Sequence, residues 1–134
     1  MTRPYKKKTE KQKLRDRADD LWKKLCLKRA GNKCELTEQV FGLQVHHFFP
    51  RITYPMLRYD LENGIVLKKG LHFNHHTRGD PTIHERIIRK RGKEWYDELL
   101  KRSHIRLRNS LQTKNYYENI INELKEAIKS ESED

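Results

Sequence analysis

The chain's 134 residues suit one domain, and with 34% hydrophobic and 37% charged residues they allow one small core under a large solvated surface. A formal net charge of +11, with a pI near 9.7, points to a polyanionic partner, nucleic acid first. No apolar run approaches the ~18 residues of a membrane span, the basic run Lys6-Lys7-Lys8 lacks the apolar face of a membrane-surface helix, and the two cysteines, Cys26 and Cys34, cannot build a disulfide framework.

In chain order, residues 1–9 read as a flexible basic arm. Thr9-Glu10-Lys11-Gln12 fits a capping box, and Leu14, Ala18, Leu21, Trp22 and Leu25 follow helical spacing, so the pattern predicts one amphipathic helix over 10–30 that stops at Gly31. Cys26 falls among its apolar positions and reads as a small core residue. Residues 32–62 read as irregular with short strands. Val40 to Val45 has β character and runs into His46-His47, Pro50 and Pro55 punctuate the loop that follows, Asn63-Gly64 is a turn signal, and Ile65-Val66-Leu67 is a short strand. A short helix is expected from about Gly70 to Gly79. Asp80-Pro81 opens another, striped by Ile83, Ile87 and Ile88 and ended by Gly92. Trp95, Tyr96, Leu99 and Leu100 mark a further helix. Asn115 to Glu118 resembles a capping box ahead of Ile120, Ile121, Leu124 and Ile128, a helix expected to pack internally in a monomer. The acidic tail 130–134 is expected to be disordered.

The charge is uneven. Residues 1–30 carry twelve basic and four acidic groups, and residues 80–114 ten and five, whereas residues 31–79 carry six and four. A nearly neutral middle with basic flanks suits a site that receives a nucleic-acid backbone gripped on either side.

That middle segment holds five of the seven histidines: His46-His47, then His72, His75 and His76, with Asn63 between the clusters. On a helix, His72 and His76 share one face and can converge on one metal ion, with His75 a competing ligand. His46 and His47 end a predicted strand, where neighbouring side chains point to opposite faces. One can then bind metal while the other faces a substrate. Hydrolysis of a phosphodiester needs that division: a metal to neutralise charge on the phosphate, and a neutral histidine to take a proton from water. Each cluster alone is also what surface or core histidines look like.

Joined, Val45-His46-His47-Phe48-Phe49-Pro50-Arg51 and Leu61-Glu62-Asn63-Gly64-Ile65-Val66-Leu67-Lys68-Lys69-Gly70-Leu71-His72 resemble the two motifs of the HNH nuclease family. The likeness covers about residues 30–80, and the step from His72 to His76 is similar to members such as the colicin-type nucleases. The phrasing is also similar to HNH proteins encoded by bacteriophages, including recombination-associated ones. The resemblance implies an α+β fold: a small ββα-metal core, made of a two-stranded antiparallel hairpin plus a helix, with long flanking α-helices. It would form a single domain over 10–129, with the core at 30–80 and a helical extension at 80–129.

The resemblance implies a metal-dependent DNA endonuclease. His47 would be the general base. His46, His72 and His76 would hold one divalent ion, with His75 an alternative ligand. Asn63 would fix the loop bearing His47, although in other members the matching Asn ligates metal. Arg51 is a candidate phosphate contact. One-metal hydrolysis would leave 5′-phosphate and 3′-hydroxyl ends. The ion would be Mn, Mg, Ni, Co or Zn, with imidazole donors favouring the transition metals. Many members bind a structural zinc through two Cys-x-x-Cys pairs. Here the first reads Cys34-Glu35-Leu36-Thr37 and the second Lys68-Lys69-Gly70-Leu71, so no structural zinc is expected and Cys34 reads as packing. The expected partner is double-stranded or branched DNA cut with weak sequence preference, with no membrane, in the cytoplasm (of the host, if phage-encoded). The rival readings are a non-catalytic metal-containing DNA-binding module and an RNA-acting nuclease.

Overall fold

A computed structural model describes residues 6–71 and 82–133. His72, His75, His76 and the Asp80-Pro81 helix start therefore lie outside the described residues. The fold is α+β, a two-stranded antiparallel hairpin held among helices. Helix α1 (Glu10–Arg29) begins at the expected capping box: Thr9 Oγ1 accepts from the Gln12 N–H at 3.1 Å, and Gln12 Oε1 accepts from the Thr9 N–H at 2.9 Å. Its buried stripe is Ala18, Asp19, Trp22, Leu25 and Cys26. The chain leaves the helix through left-handed backbone at Gly31 and Asn32.

Strand β1 (Leu43–His47) pairs with β2 (Gly64–Lys68), with Val45 opposite Val66, His46 opposite Ile65 and His47 opposite Gly64. Pairing starts later than the β character of Val40-Phe41 suggests, because Gly42 takes a φ of 62° and breaks the extended run. Val40 and Phe41 stay exposed. Asn63-Gly64 is not a two-residue hairpin turn either. Such a turn needs positive φ at both residues, whereas Asn63 closes a 3-10 turn (Leu61–Asn63) and Gly64 enters β2 at φ −95°. Residues 48–63 join the strands instead, and residues 69–71 are helical directly after β2.

Helix α2 (Thr82–Arg91) ends at Gly92, whose φ of 101° turns the chain into α3 (Lys93–Ser103). Helix α4 (Lys114–Glu133) is capped by Thr113, whose hydroxyl accepts from the Tyr116 N–H, two residues before the expected Asn115 box. The same helix runs through Glu133, so the acidic segment expected to be disordered is helical to that point. Among the described residues no helix is long and apolar enough to cross a membrane.

The hairpin has a core on each face. Ile65 and Leu67 pack with Cys34, Phe48 and Leu57 against Ile83 and Ile87 of α2 and Leu99 of α3. On the other face Val45 packs with Trp22, Leu25 and Cys26 of α1, backed by Ile120, Leu124 and Ile128 of α4. Period-two alternation along β1 therefore sends neighbouring side chains to different helices.

Gly64 marks the closest approach of sheet and helix. A Cβ there would sit 2.4 Å from Cys26 Sγ and 3.0 Å from Trp22 Cζ2. Gly64→Ala is expected to lower stability by about 1–3 kcal/mol, and pairing it with Cys26→Ala should recover part of that loss in urea unfolding. Strictly additive losses would show that the two sites do not touch.

Candidate active site

His47 ends β1 on the α1 face, and its ring lies flat on the Trp22 indole, centroids 4.1 Å apart and planes 12° apart. Its Nε2 is 3.0 Å from the Arg58 carbonyl oxygen. A carbonyl only accepts, so Nε2 carries the hydrogen and Nδ1 keeps the lone pair. Burial lowers the pKa of His47 from 6.5 to about 4. The Arg58 carbonyl bond opposes that shift, the Arg51 charge reinforces it, Asp19 opposes it and the Arg58 charge reinforces it. At neutral pH His47 is thus an uncharged imidazole with a defined tautomer.

The ring's supports are themselves anchored. Asp19 is buried on α1, one helical turn before Trp22, so both point to the same side. It takes a bidentate ion pair from Arg58, at 2.8 and 2.6 Å, and lies 3.7 Å from Arg51. Arg58 therefore fixes His47 with its backbone while Asp19 fixes Arg58. Trp22 donates from Nε1 to the Asp60 carbonyl oxygen at 3.1 Å, and the Asp60 carboxylate is held by Arg102 of α3 at 2.8 and 3.2 Å.

Asn63 is fully buried and clamps the residues just after His47. Its Oδ1 accepts from the Phe49 N–H at 2.8 Å, and its Nδ2 donates to the carbonyl oxygens of Phe49 at 3.0 Å and Leu57 at 3.1 Å. Its own carbonyl accepts from the Phe48 N–H, which extends the ladder past β1.

His46 points to the other face and is 1% exposed. Its ring centre is 5.8 Å from that of His84 on α2, with the planes at 46°. His84 in turn stacks on Phe48, centroids 4.1 Å apart. Two imidazoles thus lie side by side here, and among the described residues no group of three or more His, Cys, Asp or Glu forms a candidate metal cluster. Arg51 follows on the same loop with its side chain 45% exposed. Cys34 is buried in the α2-side core, among Phe48, Leu57 and Ile65.

The structure thus brings together His46, His47, Asn63 and Arg51 of the residues singled out from sequence. It adds Asp19, Trp22, Arg58, Asp60 and His84. One of these left a trace in the sequence: Asp19 interrupts the apolar stripe of α1, where a carboxylate needs a buried partner. Comparison of the chain with protein-family models, curated proteins and solved structures finds no match.

Two predictions follow from the geometry. Asn63→Ala strands the Phe49 N–H and carbonyl and leaves the Leu57 carbonyl only its bond from the Asp60 N–H, so it should cost about 3 kcal/mol and speed hydrogen exchange at the Phe49 amide. An unchanged exchange rate would contradict the clamp. Because the folded pKa of His47 lies below 6.5, the unfolded chain binds the proton first as pH falls. In EDTA, stability should therefore drop by roughly 2–3 kcal/mol between pH 7 and pH 4 relative to His47→Gln. Equal pH slopes for the two proteins would refute it.

Proposed function

We propose that the chain is a metal-dependent DNA endonuclease of the HNH kind, built on a ββα-metal core, with His47 as general base. The observation that carries the reading is the state of His47. It is neutral, its Nε2–H is tied to a backbone carbonyl, its Nδ1 is free to take a proton, and it stands beside the buried His46 with Asn63 fastening the residues that follow. A second support is the order of elements: a strand ending in two histidines, a loop, Asn63, a strand, and helix beginning at 69–71.

In this reading His47 accepts a proton from water at Nδ1 as the water's oxygen attacks phosphorus. An isolated pKa of about 4 makes a weak base. A phosphate anion arriving at Arg51 counters the cationic field that reinforces the depression, and so raises the base's strength once DNA is bound. Trp22 fixes the ring plane, and Arg58 fixes its rotation and tautomer. His46, with His72 and His76 by sequence spacing and His75 as an alternative, would hold one divalent ion, which when bound supplies positive charge to the phosphate and the departing oxygen. The imidazole donors present fit Zn, Ni, Co or Mn better than Mg. Basic residues of the N-terminal segment and of α2 and α3 would grip phosphates on either side without reading sequence.

The test is supercoiled plasmid incubated with EDTA or with Mg, Mn, Ni, Co or Zn in turn. Metal-dependent nicking or linearisation should fall about 100-fold or more in His47→Ala, with DNA binding and metal uptake retained. DNA binding without cleavage under any of these ions would favour the non-catalytic binding module. Cleavage of RNA alone would move the substrate class.

A further inference from the structure

We infer that His84 is a ligand of the same divalent ion as His46, so that α2 contributes to the metal centre from outside the hairpin. The inference rests on the nuclease reading for the presence of the ion, and on geometry for the residue. Two imidazoles bound through nitrogen to one tetrahedral ion, each about 2.1 Å from it, have ring centres roughly 5–5.5 Å apart. The His46 and His84 centres are 5.8 Å apart, with the planes tilted at 46°. That separation is within about 1 Å of the ligating one.

The placement of His84 is fixed from three sides. Ile83 and Ile87, 1% and 0% exposed, anchor α2 to the hairpin. Phe48 lies under the His84 ring at 4.1 Å with the planes 21° apart, which fixes the ring's orientation. Phe48 is itself tied by its N–H to the Asn63 carbonyl. One residue thus clamps both halves of the site: the Asn63 side chain holds the segment after the base, and its backbone holds the ring on which His84 rests. An imidazole held this way loses little freedom on binding a metal, which favours affinity.

A donor set with a second buried-side imidazole has a chemical consequence. Nitrogen-rich sites prefer Zn, Ni and Co to Mg. The whole 134-residue chain, treated with chelator, should therefore take up Co(II) and Zn(II) well ahead of Mg(II).

The test is titration of the wild-type chain and its His46→Ala, His84→Ala and His84→Phe variants with Co(II), followed by calorimetry and by the cobalt d–d absorption band. His84→Phe keeps a ring on Phe48 and removes the nitrogens. It should bind Co(II) at least about tenfold more weakly and shift the band, while its circular dichroism and thermal midpoint in EDTA match wild type. His84→Ala should lose affinity to the same degree. If His46→Ala weakens binding while His84→Phe keeps both wild-type affinity and the wild-type band, the ligand role of His84 is overturned and the nuclease reading stands. If wild type takes up no divalent ion, both fall.

Discussion

A two-stranded ribbon is too small to hold a reactive side chain in place by itself, yet the candidate base sits at the end of one. The rest of the structure is organised by the need to brace it. Trp22 supplies a flat surface for the ring, and the Arg58 carbonyl supplies a fixed acceptor for its Nε2–H. Neither support belongs to the strand. One comes from α1, and the other from the loop between the strands, which must itself be tied down to serve.

The ties are polar and long-range. Asp19 reaches from α1 to Arg58, Arg102 from α3 to Asp60, and Arg91 at the end of α2 to Glu35 and to the carbonyls of Glu62 and Gly64. With their side chains between 11% and 33% exposed, these pairs lie between the regime where ion pairs are worth little and the one where breaking a pair costs about 3–5 kcal/mol. Their main contribution is geometric. Bidentate guanidinium–carboxylate pairs fix direction as well as distance, and two of these, Arg58 with Asp19 and Arg102 with Asp60, join a helix to the loop on which the site depends. A loop fastened by apolar contacts alone could slide. One fastened by two forks, the Arg91 bond to the Glu62 carbonyl and an asparagine clamp cannot move without leaving buried polar groups unmet.

The parts of this arrangement visible in the sequence are those with local causes. The Thr9 capping box, the α1 stripe, Gly92 as a stop and the β2 run from Ile65 to Leu67 each depend on near neighbours, and each appears where its pattern places it. The differences arise where the tertiary setting overrides a local preference. Gly42 ends the β run of Val40-Phe41, and Asn63-Gly64 spends its asparagine on the core rather than on a turn. Thr113 caps α4 in place of Asn115. In the candidate site, His46, His47 and Asn63 stood out because their residue types and order match known motifs. Asp19, Trp22, Arg58 and His84 did not, because they belong to no such motif and meet the site only through contacts spanning 11 to 39 residues of the chain. A lone histidine beside the Ile83 and Ile87 stripe reads as an ordinary helix residue until the fold sets it against His46.

The alternation of β1 then explains why two adjacent histidines can serve different purposes. His47 faces α1, where burial keeps it neutral and stacking and a carbonyl bond orient it, while His46 faces α2, where another imidazole stands. The electrostatics follow the same division. Asp19 is the carboxylate nearest His47, and it is engaged in two hydrogen bonds with Arg58 and only in a 3.7 Å contact with Arg51. One carboxylate cannot neutralise two guanidiniums, and the better-bound one takes it. Arg51, the more exposed of the two, is left with much of its charge facing outward on the segment that follows the base. A phosphate arriving there would meet an uncompensated cation beside a neutral imidazole. In the proposed reading, that pairing would let one anion bind the loop and, by opposing the cationic field around His47, strengthen the base.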